Sequence, residues 1–168
     1  MIRLKFAAAV MTFLSFGAAA AETASSQSKQ QDTHSISQQS NLSPDQAQSL
    51  ARDAVALIHE QGLEKAHDEF QRSGPYRHGE IYVNVIDFNG VWKVYPPQPS
   101  GEGKSVLGVQ DADGKFLVQE ILALAKHDGE GWISYRWQNP QTKRIQPKLT
   151  YVKRVPGSDL VVYVGVYR

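Results

Sequence analysis

The segment from Trp132 to Arg154 crowds rings and cations together (Trp132, Tyr135, Arg136, Trp137, Lys148, Tyr151, Lys153 and Arg154), and Tyr82, Trp92 and Tyr95 add rings from earlier in the chain. Aromatic rings exclude water, while tyrosine hydroxyls and a lysine ammonium offer charge-assisted hydrogen bonds. Together they suit a small carboxylate. In an extended segment Tyr135 and Trp137 share one face. The same residues suit cross-strand core pairs with solvated cations between them, and spacing alone leaves both readings open.

Other chemistries find less support. Gly101-Glu102-Gly103-Lys104-Ser105 resembles the end of a phosphate-binding loop, but Gln98 stands where the first glycine is needed and no strand-to-helix turn surrounds it. Asp111-Ala112-Asp113-Gly114 opens like a calcium loop, yet its glycine comes too early and Leu122 holds the place of the bidentate acid. A turn that sets Asp113 near a helix N-terminus is expected there. The histidines His34, His59, His67, His78 and His127 never adopt a zinc-binding HExxH spacing, and no Gly-x-Ser-x-Gly elbow occurs. No metal, no cofactor and no enzymatic activity are expected. An acid/base enzyme remains an alternative, since paired carboxylates leave no readable spacing.

The elements that would position the aromatic cluster are legible. Ser43-Pro44-Asp45-Gln46 combines an N-cap, a first-position proline and a capping-box glutamine. Ala47, Leu50, Ala51, Ala54, Val55, Leu57 and Ile58 then predict a helix that stops at Gly62. A shorter helix carries Leu63, Ala66 and Phe70 and ends at Gly74-Pro75. From Ile81 the period becomes two, and Asn89-Gly90 predicts a hairpin into Val91 to Tyr95. The stretch from Pro96 to Gly114 is too long for a plain connector and is read as a functional loop. A third helix over Phe116 to Ala125 precedes three strands, Trp132 to Trp137, Gln146 to Val155 and Leu160 to Tyr167. The predicted fold is α+β, PAS-like, with one five-stranded antiparallel sheet. The long first helix should cover one face, and the loop and third helix should enclose a pocket on the other.

The chain start has the three parts of a secretory leader: Arg3 and Lys5, an apolar run from Phe6 to Phe16, and Ala19-Ala20-Ala21. Cleavage after Ala21 is expected, with 1–21 as signal peptide. The apolar run is shorter than the roughly 20 residues that span a bilayer, so no stable membrane insertion is expected afterwards. Losing Arg3 and Lys5 turns 18 basic against 17 acidic residues into 16 against 17, which argues against nucleic acid. With no cysteine, stability must come from packing. Residues 22–42, rich in Ser, Gln and Thr, predict a disordered tether. Residues 43–168 then form a single domain.

Several segments resemble the single Cache domains of bacterial sensors, of the second type. They are Gly79-Glu80-Ile81-Tyr82-Val83 through Asp87-Phe88-Asn89-Gly90, Gly103 to Leu107 with Asp111 to Lys115, and above all Gly131 to Pro140 followed by Pro147 to Lys153. The resemblance runs from about Leu50 to Tyr167. It implies a PAS-like fold, a periplasmic location and binding of a small organic ligand such as a short carboxylate. It makes Tyr135, Trp137 and Lys148 the leading ligand contacts, with Tyr82, Tyr95 and Tyr151 behind them. One departure is Tyr95-Pro96, where relatives often have His before the proline. Membrane sensors continue into a transmembrane helix and a signalling module, whereas this sequence stops at Arg168. The expected function is therefore a sensor-type binding domain that buffers its ligand or presents it to a separate membrane receptor. A protein-interaction module with a vestigial pocket is the other alternative.

Overall fold

The computed structural model describes residues 43–168 as three helices and a six-stranded antiparallel sheet. The leader and the tether expected over 1–42 lie outside the described residues.

Helix α1 (Pro44–Gln61) begins on the capping box: Ser43 Oγ accepts from the Gln46 N–H at 3.3 Å, and Gln46 Oε1 accepts from the Ser43 N–H at 2.8 Å. It ends at Gly62, whose φ of 82° a side chain would oppose. Helix α2 (Leu63–Gln71) follows and buries Ala66 and Phe70.

The strands are β1 (Arg77–His78), β2 (Ile81–Asp87), β3 (Trp92–Val94), β4 (Glu130–Gln138), β5 (Ile145–Arg154) and β6 (Leu160–Tyr167), with helix α3 (Leu117–His127) before β4. The main path runs β2-β6-β5-β4, and both β1 and β3 pair with β2. The last strand thus lies between the early hairpin and the later strands, pairing Val83 with Val164 on one side and Thr150 with Gly165 on the other. The sixth strand, β1, is the one addition to the expected sheet. Two residues carry no period to read.

Alternation divides β2 and β6 between two cores. Val83, Val85, Val162 and Val164 meet Ala47, Ala51, Ala54 and Val55 of α1. On the opposite face Ile86, Val161 and Tyr163 meet Leu117, Val118 and Ile121 of α3. The helix-covered face and the loop-covered face therefore fall as the period predicts.

The β2–β3 turn closes on Asp87, whose Oδ1 accepts from the N–H groups of Asn89 and Val91, each at 2.9 Å. The chain from Pro96 to Gly114 then folds back over this hairpin. Gly103 N donates to Trp92 O at 2.8 Å, and Val106 N donates to Gly90 O at 2.7 Å. Its far end is fastened by Asp111, whose Oδ1 accepts from the N–H groups of Asp113 and Lys115 at 2.9 Å and whose Oδ2 accepts from Arg136 N at 3.3 Å. Burial pushes this carboxyl up, but the three backbone donors outweigh it and leave it below the usual range. The turn expected at Asp113 is present, but α3 starts only at Leu117, and Asp113 Oδ1 pairs with Arg136 Nη1 at 3.1 Å on β4.

Candidate functional site

On the sheet face turned away from α1, a cavity lies beneath the loop and α3. Strand β2 contributes Tyr82 and Asn84, β4 contributes Tyr135 and Trp137, β5 contributes Lys148 and β6 contributes Tyr163. Trp92, Tyr95 and Val109 close it from the loop side, and Leu117 and Val118 from α3. Only about 20 Å³ admits the centre of a water molecule. That is room for about one water.

Lys148 is the unusual member. It is 2% exposed, and its Nζ donates to Tyr82 Oη at 3.2 Å and Tyr167 Oη at 3.4 Å. It also lies 4.6 Å and 4.4 Å from the centroids of the same two rings, within cation–π range. No carboxylate forms a salt bridge with it among the described residues. Burial lowers its pKa to about 7, and the charge of Glu80 opposes that fall. Space for the lysine stem comes from Gly165, the cross-strand neighbour of Thr150: a Cβ there would collide with Thr150 Oγ1 and Lys148 Cε.

The surrounding rings are held by hydrogen bonds. Thr150 Oγ1 donates to Tyr135 Oη at 3.0 Å, Trp92 Nε1 donates to Tyr163 Oη at 3.0 Å, and Tyr167 Oη donates to Gln138 O at 3.0 Å. Burial raises the pKa of Tyr82, Tyr135 and Tyr163, so their hydroxyls stay neutral. Trp92 and Tyr95 stack with ring centres 3.9 Å apart and planes 6° from parallel. Glu102 holds this pair in place: its Oε1 accepts from Tyr95 N at 2.8 Å and from Gln71 Nε2, and its Oε2 meets His67 Nε2 at 2.9 Å. The carboxylate of Glu102 raises the pKa of His67 against the opposing effect of burial.

The site thus combines a buried lysine with aromatic walls on an antiparallel sheet, beneath a loop and α3. The sequence profile of the family described as Single Cache domain 2 matches residues 21–168. The chain belongs to this Cache family. A methyl-accepting chemotaxis protein from Vibrio parahaemolyticus shares the fold with a TM-score of 0.63 at 19% identity, over 73% of this chain and 86% of that one. A Cache chemosensory domain that recognises carboxylic acids aligns with a TM-score of 0.59 at 25% identity, over 73% and 86% of the two chains. In sequence, this Cache domain is 37% identical over 86 residues to the sensor histidine kinase MctS of Rhizobium johnstonii, covering 51% of this chain and 18% of the kinase. It is 25% identical over 125 residues to the methyl-accepting chemotaxis protein McpP of Pseudomonas putida, covering 68% of this chain and 23% of McpP. The chain thus spans about a fifth of the length of these curated relatives.

Five of the six residues expected to touch ligand, Tyr82, Tyr95, Tyr135, Trp137 and Lys148, line the cavity of the Cache domain. Tyr151 does not, and that expectation is corrected. It belongs to the α1-side core, where its hydroxyl donates to Glu130 Oε2 at 2.6 Å and accepts from Arg52 Nη2 at 3.2 Å. The reason is the pleat: it lies three positions from Lys148, and an odd spacing reverses the face. The sequence reading missed Asn84, Tyr163, Gly165 and Tyr167 as parts of the site. Tyr163, Gly165 and Tyr167 stand at alternate positions of β6, and that spacing signals a common face.

Proposed function

We propose that this Cache domain is a periplasmic binding domain of the sensor type, which takes a small organic anion, a short carboxylate, into the cavity at Lys148. One observation carries the reading: a fully enclosed ammonium group has two tyrosine hydroxyls as partners and no counter-ion among the described residues. An isolated charge is costly away from water, and a bound carboxylate supplies the missing charge. In this reading Lys148 neutralises the ligand, Tyr82 and Tyr167 orient the amine, and Tyr135, Trp137 and Tyr95 provide apolar walls. The likeness to a domain that recognises carboxylic acids supports the ligand class. The family's sensor role supports a membrane receptor as the module that reads the loaded domain.

Thermal shift followed by titration calorimetry with acetate, propanoate and glycolate tests this reading. A binder at about 100 times its Kd adds about 2.7 kcal/mol of stability. Replacing Lys148 by Met keeps the apolar stem and removes the charge. The expected result is a folded protein whose affinity for the best of these anions is about tenfold to a hundredfold lower. Unchanged affinity in folded Lys148→Met removes this residue from the site. No stabilisation by any of the three favours the interaction-module alternative.

A further inference from the structure

We infer that Asn84 is a specificity residue of the cavity, and that its side-chain oxygen selects a small hydroxycarboxylate over a carboxylate of equal size that lacks the hydroxyl. This inference rests on the proposed binding of a carboxylate at Lys148 and adds a second contact to it.

Strand β2 is buried at all seven positions, and every other residue from Ile81 to Ile86 is apolar or aromatic. Asn84 is 2% exposed and lines the cavity in this apolar row. Its Nδ2 donates to the carbonyl of Tyr163 at 3.3 Å, while its Oδ1 has no hydrogen-bond partner among the described residues. Exchanging the two ends of the amide does not repair this. Two acceptors, Oδ1 and the Tyr163 carbonyl, would then face each other. The Tyr163 carbonyl therefore fixes the amide orientation and leaves an acceptor for the cavity.

An unpartnered buried carbonyl is costly, and native interiors keep few of them. A ligand with a donor removes that cost. The donor must be uncharged, because an ammonium group would share a cavity of about one water's room with the amine of Lys148. A hydroxyl a bond or two from the carboxylate meets both demands: the carboxylate accepts from Lys148, and the hydroxyl donates to Asn84 Oδ1.

Glycolate and propanoate form a matched pair, differing only by hydroxyl against methyl. Titration calorimetry of the wild-type protein should give glycolate an affinity about tenfold or more above propanoate, because the site loses a hydrogen bond to the methyl analogue. Asn84→Leu keeps the size and removes the acceptor. It should bind both anions, with the preference abolished or reversed. Equal wild-type affinities overturn the role of Asn84 and leave the carboxylate reading intact. A preference that persists in Asn84→Leu also overturns it, since another group would then read the hydroxyl. Binding of neither anion to the wild-type protein overturns both the inference and the reading beneath it. Should Asn84→Leu fail to fold, the wild-type comparison of the two anions still decides.

Discussion

At the scale of single residues, Lys148 ties function to a cost in stability. Its apolar stem occupies the space over Gly165 that a side chain would fill. An unfolded chain keeps the proton on this lysine up to about pH 10.5, whereas the folded protein keeps it only to about 7. Between those values the unfolded state binds the additional proton, so the stability contribution of this group rises with pH. Below about pH 7 both states are protonated and the whole penalty is present. Lys148→Met should therefore melt higher than the wild type at and below neutral pH, with a gap that narrows as pH approaches 10.5, as followed by calorimetric melting. A variant less stable than wild type at pH 6 contradicts this assignment. Gly165→Ala makes the complementary test: overpacking should cost about 1 to 3 kcal/mol in urea denaturation and displace the amine. A silent Gly165→Ala would mean that the space is not needed. The sequence makes Lys148 readable as a cation beside rings but not as a buried one, because lysine in a strand ordinarily snorkels to water. It could have excluded Tyr151, whose spacing from Lys148 is odd.

At the scale of elements, α1 is held to the sheet by small apolar residues and by one polar cluster at its rim. Glu130 on β4 accepts from Lys153 Nζ and Tyr151 Oη, each at 2.6 Å, and from Arg52 Nη2 of α1 at 3.3 Å. Lys153 and then Tyr151 hold its carboxyl at about pKa 2, against 4.5 ordinarily. A lowered carboxyl pKa contributes stability above about pH 4.5 that is lost as pH falls through about 2. Solvent at this rim limits the effect to about 1 kcal/mol. Glu130→Gln should lower the Tm at neutral pH by about 2 to 5 °C. The difference should close as pH falls from 4.5 towards 2, and a constant difference would mean that Glu130 acts through packing. Local signals in the sequence set most of these elements: the capping box for α1, period two for the long strands, and Asn89-Gly90 for the hairpin. The pairing of β2 with β6 has no local signal, since residues about eighty positions apart meet there through matching burial on both faces. Strand β1 is too short to have one.

At the scale of the whole molecule, the sheet separates a cavity-facing side from a side packed on α1. Tyr82, Asn84, Lys148 and Tyr163 project to the cavity, while Val83, Val85, Tyr151 and Val164 project to α1. The loop from Pro96 to Gly114 stands out in the sequence by its length, and the stacked Trp92 and Tyr95 beside it help close the cavity. With room for about one water, the cavity admits a carboxylate only as its lining gives way. Binding should therefore change tryptophan fluorescence, and the change should survive Trp132→Phe, because Trp132 lies outside the cavity. Loss of the signal in Trp132→Phe would place the movement elsewhere. The central claim is that a carboxylate binds opposite a lysine whose proton is loosely held. Its most direct test is the Kd of the tightest binder among acetate, propanoate and glycolate, measured by titration calorimetry from about pH 6 to 9, across the Lys148 pKa of about 7. Binding requires the charged amine, so affinity should be level below about pH 7 and fall about tenfold per pH unit above it, with close to one proton taken up per ligand bound. An affinity that stays level or rises through pH 9 would contradict the claim.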